Sequence, residues 1–152
     1  QNSEGFFESG KDNSQELFVR LLEQEGFIVD RFDPSRGMEG LMQPSTAITE
    51  KYDLIIYLAK LATKSNQTVV RVEWAQPLGT NVPIYMTSVP TIFISLENPY
   101  HLLDVPRVQT YINTYNSSDV TIEVLIDKLV GRSTFKGKSP IDPFCGKWDT
   151  RL

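Results

Sequence analysis

Cysteine and histidine are almost absent from this chain, which has one of each, Cys145 and His101, among its 152 residues. A single cysteine excludes an intramolecular disulfide. A structural zinc site built on Cys and His is excluded as well, because such a site needs several of these ligands. Cys145 has no histidine near it in the sequence to activate its thiol, so we expect it to be buried as a small hydrophobic residue.

The chain also lacks an excess of basic charge, a phosphate-binding loop and a long apolar run. With 15 basic and 19 acidic residues the net charge is −4, which argues against nucleic acid or an acidic membrane as a partner. The nine glycines fit neither a dinucleotide-binding motif nor a P-loop. We therefore predict no cofactor, and a small-ligand protein of flavodoxin type is disfavoured. No apolar run approaches the roughly 20 residues that span a bilayer, so we predict no membrane span.

What the chain does contain is an alternation of helix and strand patterns. Apolar residues recur at helical spacing in two segments, 14–25 and 118–130, and a short helix is predicted over 99–105. Strands are predicted where apolar or alternating residues run together. The first helix has Asn13 as its capping residue and Gly26 as its closing glycine, and the second has Ser118 and Gly131. The predicted strands are 27–32, 53–59, 69–74, 89–96 and 108–115.

This alternation predicts an α/β fold with a mainly parallel sheet and helices on both faces. The expected architecture is a three-layer α/β/α sandwich of flavodoxin- or Rossmann-like topology, with the nearly continuous apolar segment 53–59 as a central strand. We expect one domain over residues 14–152, preceded by a linker or frayed N-terminus at 1–13. The final segment has no periodicity and predicts an irregular surface strap, anchored by Phe135, Phe144 and Trp148.

A turn with polar residues follows the apolar segment 89–96. Ligands of open α/β sheets gather beyond the C-terminal ends of the strands, so Glu97, Asn98 and Tyr100 are candidate binding residues by position. The alternative is that Asn98 and Pro99 only build the turn.

His101 and Asp104 are three residues apart in the next segment. One interpretation is a base oriented by a carboxylate. In the other, His101 packs at the start of a short helix and Asp104 is exposed. We favour the second interpretation, because a lone histidine without a nucleophile makes no recognisable catalytic set.

Arg71 and Glu73 lie on the same face of the predicted strand 69–74, and Trp74 lies beside Glu73. An indole that stacks on a sugar ring, with a carboxylate and a guanidinium on its hydroxyl groups, is one interpretation of this trio. An exposed strand face is the other, and it is the one we favour.

Four segments carry a family resemblance: YDLIIYLAKLAT at 52–63, TVVRVEW at 68–74, VPTIFISLENPYHLLDVP at 89–106 and FKGKSPIDPFCGKWDTRL at 135–152. Together they resemble the C-terminal domain of glycoside hydrolase family 3, and most of all the two-domain β-N-acetylhexosaminidases of Gram-positive bacteria. The resemblance implies an α/β/α sandwich beside an N-terminal (β/α)8 barrel. That barrel would be the partner of this domain, and the opening of the chain is expected to be a linker to it.

The resemblance also implies a retaining mechanism whose aspartate nucleophile and His–Asp acid/base pair lie on the barrel. The motif that carries this pair, of K-H-F-P-G-H-G type, is absent here, so no catalytic residue is assigned to this chain. Other branches of the family place an acid/base glutamate on the second domain, but the hexosaminidase branch implies none there, and neither Glu73 nor Glu97 is assigned that role.

The resemblance thus predicts an accessory domain of an enzyme that removes terminal N-acetylglucosamine from peptidoglycan fragments. The parent protein would be extracellular or at the cell surface of a Gram-positive bacterium, while a cytoplasmic location stays open. The alternative function is a stand-alone carbohydrate-binding module that uses Arg71, Glu73 and Trp74 or the turn at Asn98. In both cases a glycan that contains N-acetylglucosamine is the expected ligand.

Overall fold

A computed structural model describes residues 13–31, 50–61, 71–72 and 86–146. Its regular elements are helix α1, strands β1 to β3, one 3₁₀ helix and helix α2. In chain order they are α1 (Ser14–Gln24), β1 (Ile55–Ala59), β2 (Thr91–Ser95), the 3₁₀ helix (Pro99–Leu103), β3 (Thr110–Asn113) and α2 (Asp119–Leu129). The predicted α/β fold with a parallel sheet is confirmed.

The three strands form a parallel sheet in the order β1-β2-β3. In its register, Tyr57 pairs with Phe93 and Phe93 with Tyr111, so these three rings form one row across the sheet. Their neighbours along each strand point to the opposite face, because side chains alternate along a strand. The sheet therefore has an aromatic face, with Tyr57, Phe93 and Tyr111, and an aliphatic face. The aliphatic face carries Ile56, Leu58, Ile92, Ile94 and Ile112.

Both α-helices pack on the aliphatic face. Phe18 of α1 and Ile122 and Ile126 of α2 are buried there with Ile94 of β2. The aromatic face is covered differently: Val105, which follows the 3₁₀ helix, packs against Phe93. Within the described residues, the layer on the aromatic face is thus a 3₁₀ helix and irregular chain. Among the described strands β2 lies in the centre of the sheet, and β1, within the predicted central segment 53–59, pairs with it.

The helix ends differ in how closely they follow the sequence pattern. Ser118 caps α2 as predicted, because its Oγ accepts a hydrogen bond from the Thr121 N–H at 3.4 Å. Asn13 stands at the start of α1 but makes no capping side-chain bond, so that prediction is wrong. Gly26 and Gly131 have φ of 90° and 81°, the left-handed conformation that ends helices and that favours glycine.

The remaining predictions for the termini and strands have mixed outcomes. Residues 27–31 do not form a strand with the described part of the sheet. Phe144 is buried as predicted, whereas Phe135 is 53% exposed and so does not anchor the last segment in the core. Trp148, residues 1–12 and most of the predicted strand 69–74 lie outside the described residues. The boundary at residue 13 and the single domain over 14–152 stay predictions.

Candidate functional site

The turn after β2 is built by the residues that follow it. Ser95 Oγ donates a hydrogen bond to the Asn98 carbonyl at 2.5 Å, and Asn98 Oδ1 accepts one from the Tyr100 N–H at 3.0 Å. Asn98 thereby caps the 3₁₀ helix, with Pro99 in its first turn. Asn98 is buried and its side-chain oxygen is occupied, which is the turn-building role. Tyr100, in contrast, is 48% exposed and is presented to the surroundings.

Glu97 connects the chain segments that follow all three strands. Its Oε1 accepts a hydrogen bond from Ser117 Oγ at 2.7 Å and lies 3.8 Å from Lys60 Nζ. Lys60 comes directly after β1 and Ser117 shortly after β3. The carboxyl edge of the sheet therefore carries a partly exposed cluster of one carboxylate, one ammonium group and one hydroxyl group. Glu97 belongs to this edge, as its position in the sequence predicts.

His101 and Asp104 form a buried pair. The His101 side chain is fully buried and that of Asp104 is 5% exposed, and Nδ1 of the histidine lies 3.2 Å from Oδ2 of the aspartate. A carboxylate can only accept, so Nδ1 carries the proton of this bond. Nε2 is buried and has no hydrogen-bond partner in the described part of the chain. The expectation that Asp104 is exposed is wrong, because the residues at 71–72 cover its carboxylate.

Arg71 and Val72 complete the surroundings of this carboxylate. The guanidinium Nε of Arg71 donates to Asp104 Oδ1, and the Val72 N–H donates to Oδ2 at 3.2 Å. The Arg71 side chain is 56% exposed, so it extends from the buried aspartate to the surface. Of the predicted site residues, Arg71 and His101 therefore meet at Asp104. Glu73 and Trp74 lie outside the described residues.

Three stacked aromatic rings lie on the face of the sheet that contacts His101. The Phe93 ring stacks on Tyr57 and Tyr111 with centroids 5.9 and 5.6 Å apart, and it lies tilted at 6.5 Å from His101. The Tyr111 hydroxyl donates to the Pro99 carbonyl at 3.3 Å. Burial of this phenol raises the pKa of Tyr111 to about 12. Packing around His101 is thus apolar on one side and charged on the other.

Comparison with known proteins shows which sequences this chain is similar to. No family model matches the chain. It is 58% identical over 137 residues to a β-N-acetylglucosaminidase/β-glucosidase of Cellulomonas fimi, an alignment that covers 90% of this chain and 24% of that protein. This chain belongs to glycoside hydrolase family 3.

Solved structures of the family agree with this assignment. The structure titled beta-glucoside phosphorylase BglX superposes with a TM-score of 0.75 at 43% identity, over 95% of this chain and 25% of that one. A second, beta-glucoside phosphorylase BglX bound to 2FGlc, gives 0.73 at 43% identity over 91% and 24%. The chain spans about a quarter of the length of these relatives. The resemblance stated from the four sequence segments is confirmed.

Cys145 is exposed and not buried as predicted. It lies in a tight turn in which its N–H donates to the Asp142 carbonyl, and its own φ is 53°. The residues that the structure describes contain no group of three or more His, Cys, Asp or Glu side chains that could hold a metal ion. None of the helices in those residues is long and apolar enough to cross a bilayer.

Sequence reasoning missed three residues of the site: Lys60, Tyr111 and Ser117. Lys60 and Ser117 follow predicted strands, so the rule that named Glu97 would have found them had it been applied to every strand. Tyr111 gives a weaker signal, since an aromatic residue in a strand is ordinary. Its contact with Phe93 depends on the strand register, which the sequence does not state.

Proposed function

We propose that this chain is the accessory domain of an enzyme that cleaves terminal β-linked N-acetylglucosamine. The domain packs on a (β/α)8 barrel of the same parent chain, and the barrel carries the catalytic residues. The single observation that supports this proposal best is the 58% identity over 90% of the chain to the β-N-acetylglucosaminidase/β-glucosidase of Cellulomonas fimi. We further propose that the substrate consists of peptidoglycan fragments. The parent protein is extracellular or lies at the surface of a Gram-positive bacterium.

The described side chains support an accessory role. His101 is fully buried and its Nδ1 is committed to Asp104, while Glu97 is held by Ser117. Hydrolysis with retention needs two carboxyl-type groups that face one glycosidic bond about 5–5.5 Å apart, or an equivalent pair. Asp104 is enclosed by its donors, so it is not placed to act as a nucleophile.

The test compares three preparations: the intact parent enzyme, the parent without this domain, and this chain alone. Each is assayed with chromogenic N-acetyl-β-glucosaminide and with the matching β-glucoside as the control for sugar specificity. We expect turnover only when the barrel is present, and a loss of activity or thermal stability when this domain is removed. Turnover by this chain alone would contradict the proposal.

The names of the solved relatives favour a second candidate, phosphorolysis. Both structures are titled beta-glucoside phosphorylase. In phosphorolysis an oxygen of phosphate bonds to the anomeric carbon, the glycosidic C–O bond breaks, and the leaving alcohol takes up a proton. A phosphate titration of the intact enzyme separates the candidates. A phosphorylase produces sugar 1-phosphate and accelerates with phosphate, whereas a hydrolase releases free sugar at a rate independent of phosphate.

Fractionation of the source cells tests the proposed location. An antibody against this domain should detect the parent protein in the culture medium or in the cell-wall fraction. Recovery of the protein only from the cytoplasmic fraction would contradict this part of the proposal.

A further inference from the structure

We propose that Arg71 binds an oxyanion and that the buried Asp104–His101 pair holds its guanidinium in place for this purpose. The ligand group is a phosphate or a carboxylate. The site goes beyond the proposed accessory role, and only the source of the anion rests on the proposed function.

Asp104 is held in a fixed orientation. Its carboxylate accepts from three donors, the Arg71 Nε, the Val72 N–H and the His101 Nδ1. Hydrogen bonds to an ionised carboxylate are stronger than bonds between neutral groups, so three donors on two oxygens together fix the plane of the carboxylate. Because Asp104 is 5% exposed, little solvent competes for these bonds. An exposed guanidinium attached to this group is better ordered than an arginine in an ordinary surface ion pair.

Part of the Arg71 guanidinium is available to a ligand. Asp104 engages Nε, and the two Nη nitrogens make no hydrogen bond to the part of the chain that is described. The side chain is 56% exposed, so these N–H groups face outward. A guanidinium edge with two parallel donors matches two oxygens of a phosphate or carboxylate. A lysine at this position would supply a point charge without that fork.

Arg71 also lies where ligands of this class of fold bind. Val72 packs against the cluster of Ala59, Phe93 and Val105. Ala59 is the last residue of β1, and the 3₁₀ helix that carries His101 follows the end of β2. Arg71 therefore lies near the carboxyl ends of two parallel strands, where ligands of open α/β sheets bind.

His101 is a positioning residue in this arrangement and not a ligand contact. Its ring is fully buried between Phe93 and Asp104, and Nδ1 supplies one of the bonds that fix the carboxylate. Without that bond Asp104 gains rotational freedom, and the Arg71 fork loses its orientation. A histidine with a purely space-filling role would not need its nitrogen directed at the same carboxylate.

The test is a titration of the 152-residue chain, observed through the Arg Nε–Hε resonances in ¹⁵N NMR at constant ionic strength. The probes are inorganic phosphate, the carboxylate of N-acetylmuramate and, as a control, chloride. We expect a saturable shift of the Arg71 resonance with phosphate or the carboxylate, with a Kd of about 1–10 mM. Arg20, exposed on α1, provides the control resonance and the control variant Arg20→Gln.

Three variants separate binding from folding. Arg71→Lys keeps the charge on an exposed side chain, so it folds, and we expect phosphate affinity to fall about tenfold because the fork is lost. Arg71→Gln should abolish saturable binding. His101→Gln should weaken binding at Arg71 while the Arg20 response stays the same, an effect that a structural role alone would not confine to one arginine.

The outcomes decide the proposal. A response to phosphate alone indicates free phosphate as the ligand, a response to N-acetylmuramate alone indicates an acidic sugar, and either supports the site. No saturable shift at Arg71, equal shifts at Arg20, or unchanged affinity in Arg71→Lys would overturn it. None of these measurements depends on glycosidase activity, so failure of this site and failure of the proposed function are separate results.

Discussion

The two faces of the sheet carry different kinds of side chain. The aliphatic face packs isoleucine and leucine side chains of the strands against hydrophobic side chains of α1 and α2. The aromatic face stacks Tyr57, Phe93 and Tyr111 beneath the buried His101–Asp104 pair. Burial without polar groups stabilises a fold, whereas buried polar groups must each find a partner. The difference indicates that both faces contribute to stability and that the aromatic face also positions the candidate site.

The largest effect should come from deletion of the core side chains on each face. Phe93 and Ile94 are adjacent, almost fully buried and on opposite faces. We expect Phe93→Ala to lower the free energy of unfolding by about 3–5 kcal/mol and Ile94→Ala by about 2–5 kcal/mol. Phe93→Ala also loses two stacked ring contacts. Urea unfolding monitored by circular dichroism measures both.

Val120→Ala is the control for this comparison, because Val120 is 66% exposed and its truncation should change stability by no more than about 0.5 kcal/mol. If Phe93→Ala cost no more than the control, the aromatic face would not be part of the cooperative core.

The next effect should come from the buried carboxylate. Asp104→Asn keeps the size of the side chain but removes the charge that Arg71, Val72 and His101 all address. We expect a loss of about 1.5–3 kcal/mol in the free energy of unfolding, since hydrogen bonds to charged groups contribute about this much. Asp127→Asn, which alters an exposed ion pair with Arg132, should change little. Equal effects of the two variants would mean that Asp104 is not enclosed as described.

The sequence predicted the aliphatic face better than the aromatic one, for a physical reason. Helical spacing and capping at Ser118 are local signals, and they lie within one turn of the chain. The partners of Asp104 at Arg71 and Val72 are 33 and 32 residues away, and only the fold brings them together. Local patterns therefore named Arg71 and His101 as candidates but did not place them on one carboxylate.

Two predictions that rested on local signals were wrong. Asn13 has a capping side chain, yet it makes no capping bond, and Phe135 has an apolar side chain that stays half exposed. In both cases residue type alone carried the expectation. Whether an amide turns toward a helix, or a ring toward the core, depends on the path of the neighbouring chain.

A smaller, pH-dependent effect should arise from Tyr111. Its folded-state pKa of about 12 lies above the usual value of 10, because burial disfavours the phenolate. The stability linked to this phenol is therefore complete below pH 10 and is lost as the pH rises through about 12. We expect the free energy of unfolding to fall over this range in the native chain and to fall less in Tyr111→Phe.

Ultraviolet titration of tyrosinate measures the ionisation directly. Tyr100→Phe, at a half-exposed position, is the matched control and should retain the late-titrating phenol. If the late-titrating phenol disappeared in Tyr100→Phe and persisted in Tyr111→Phe, the assignment of the raised pKa to Tyr111 would be wrong.

The smallest expected effect concerns the two helices on the aliphatic face. Ser118 accepts a bond from the Thr121 N–H, whereas Asn13 occupies the matching position on α1 without a side-chain capping bond. Ser118→Ala should lower the free energy of unfolding by about 1 kcal/mol, because it leaves a helix N–H without its partner. Asn13→Ala should change it by much less. Denaturant midpoints of the two variants suffice for the comparison. Equal losses would show that α1 depends on the side chain of its N-cap residue as α2 does, contrary to the missing bond at Asn13.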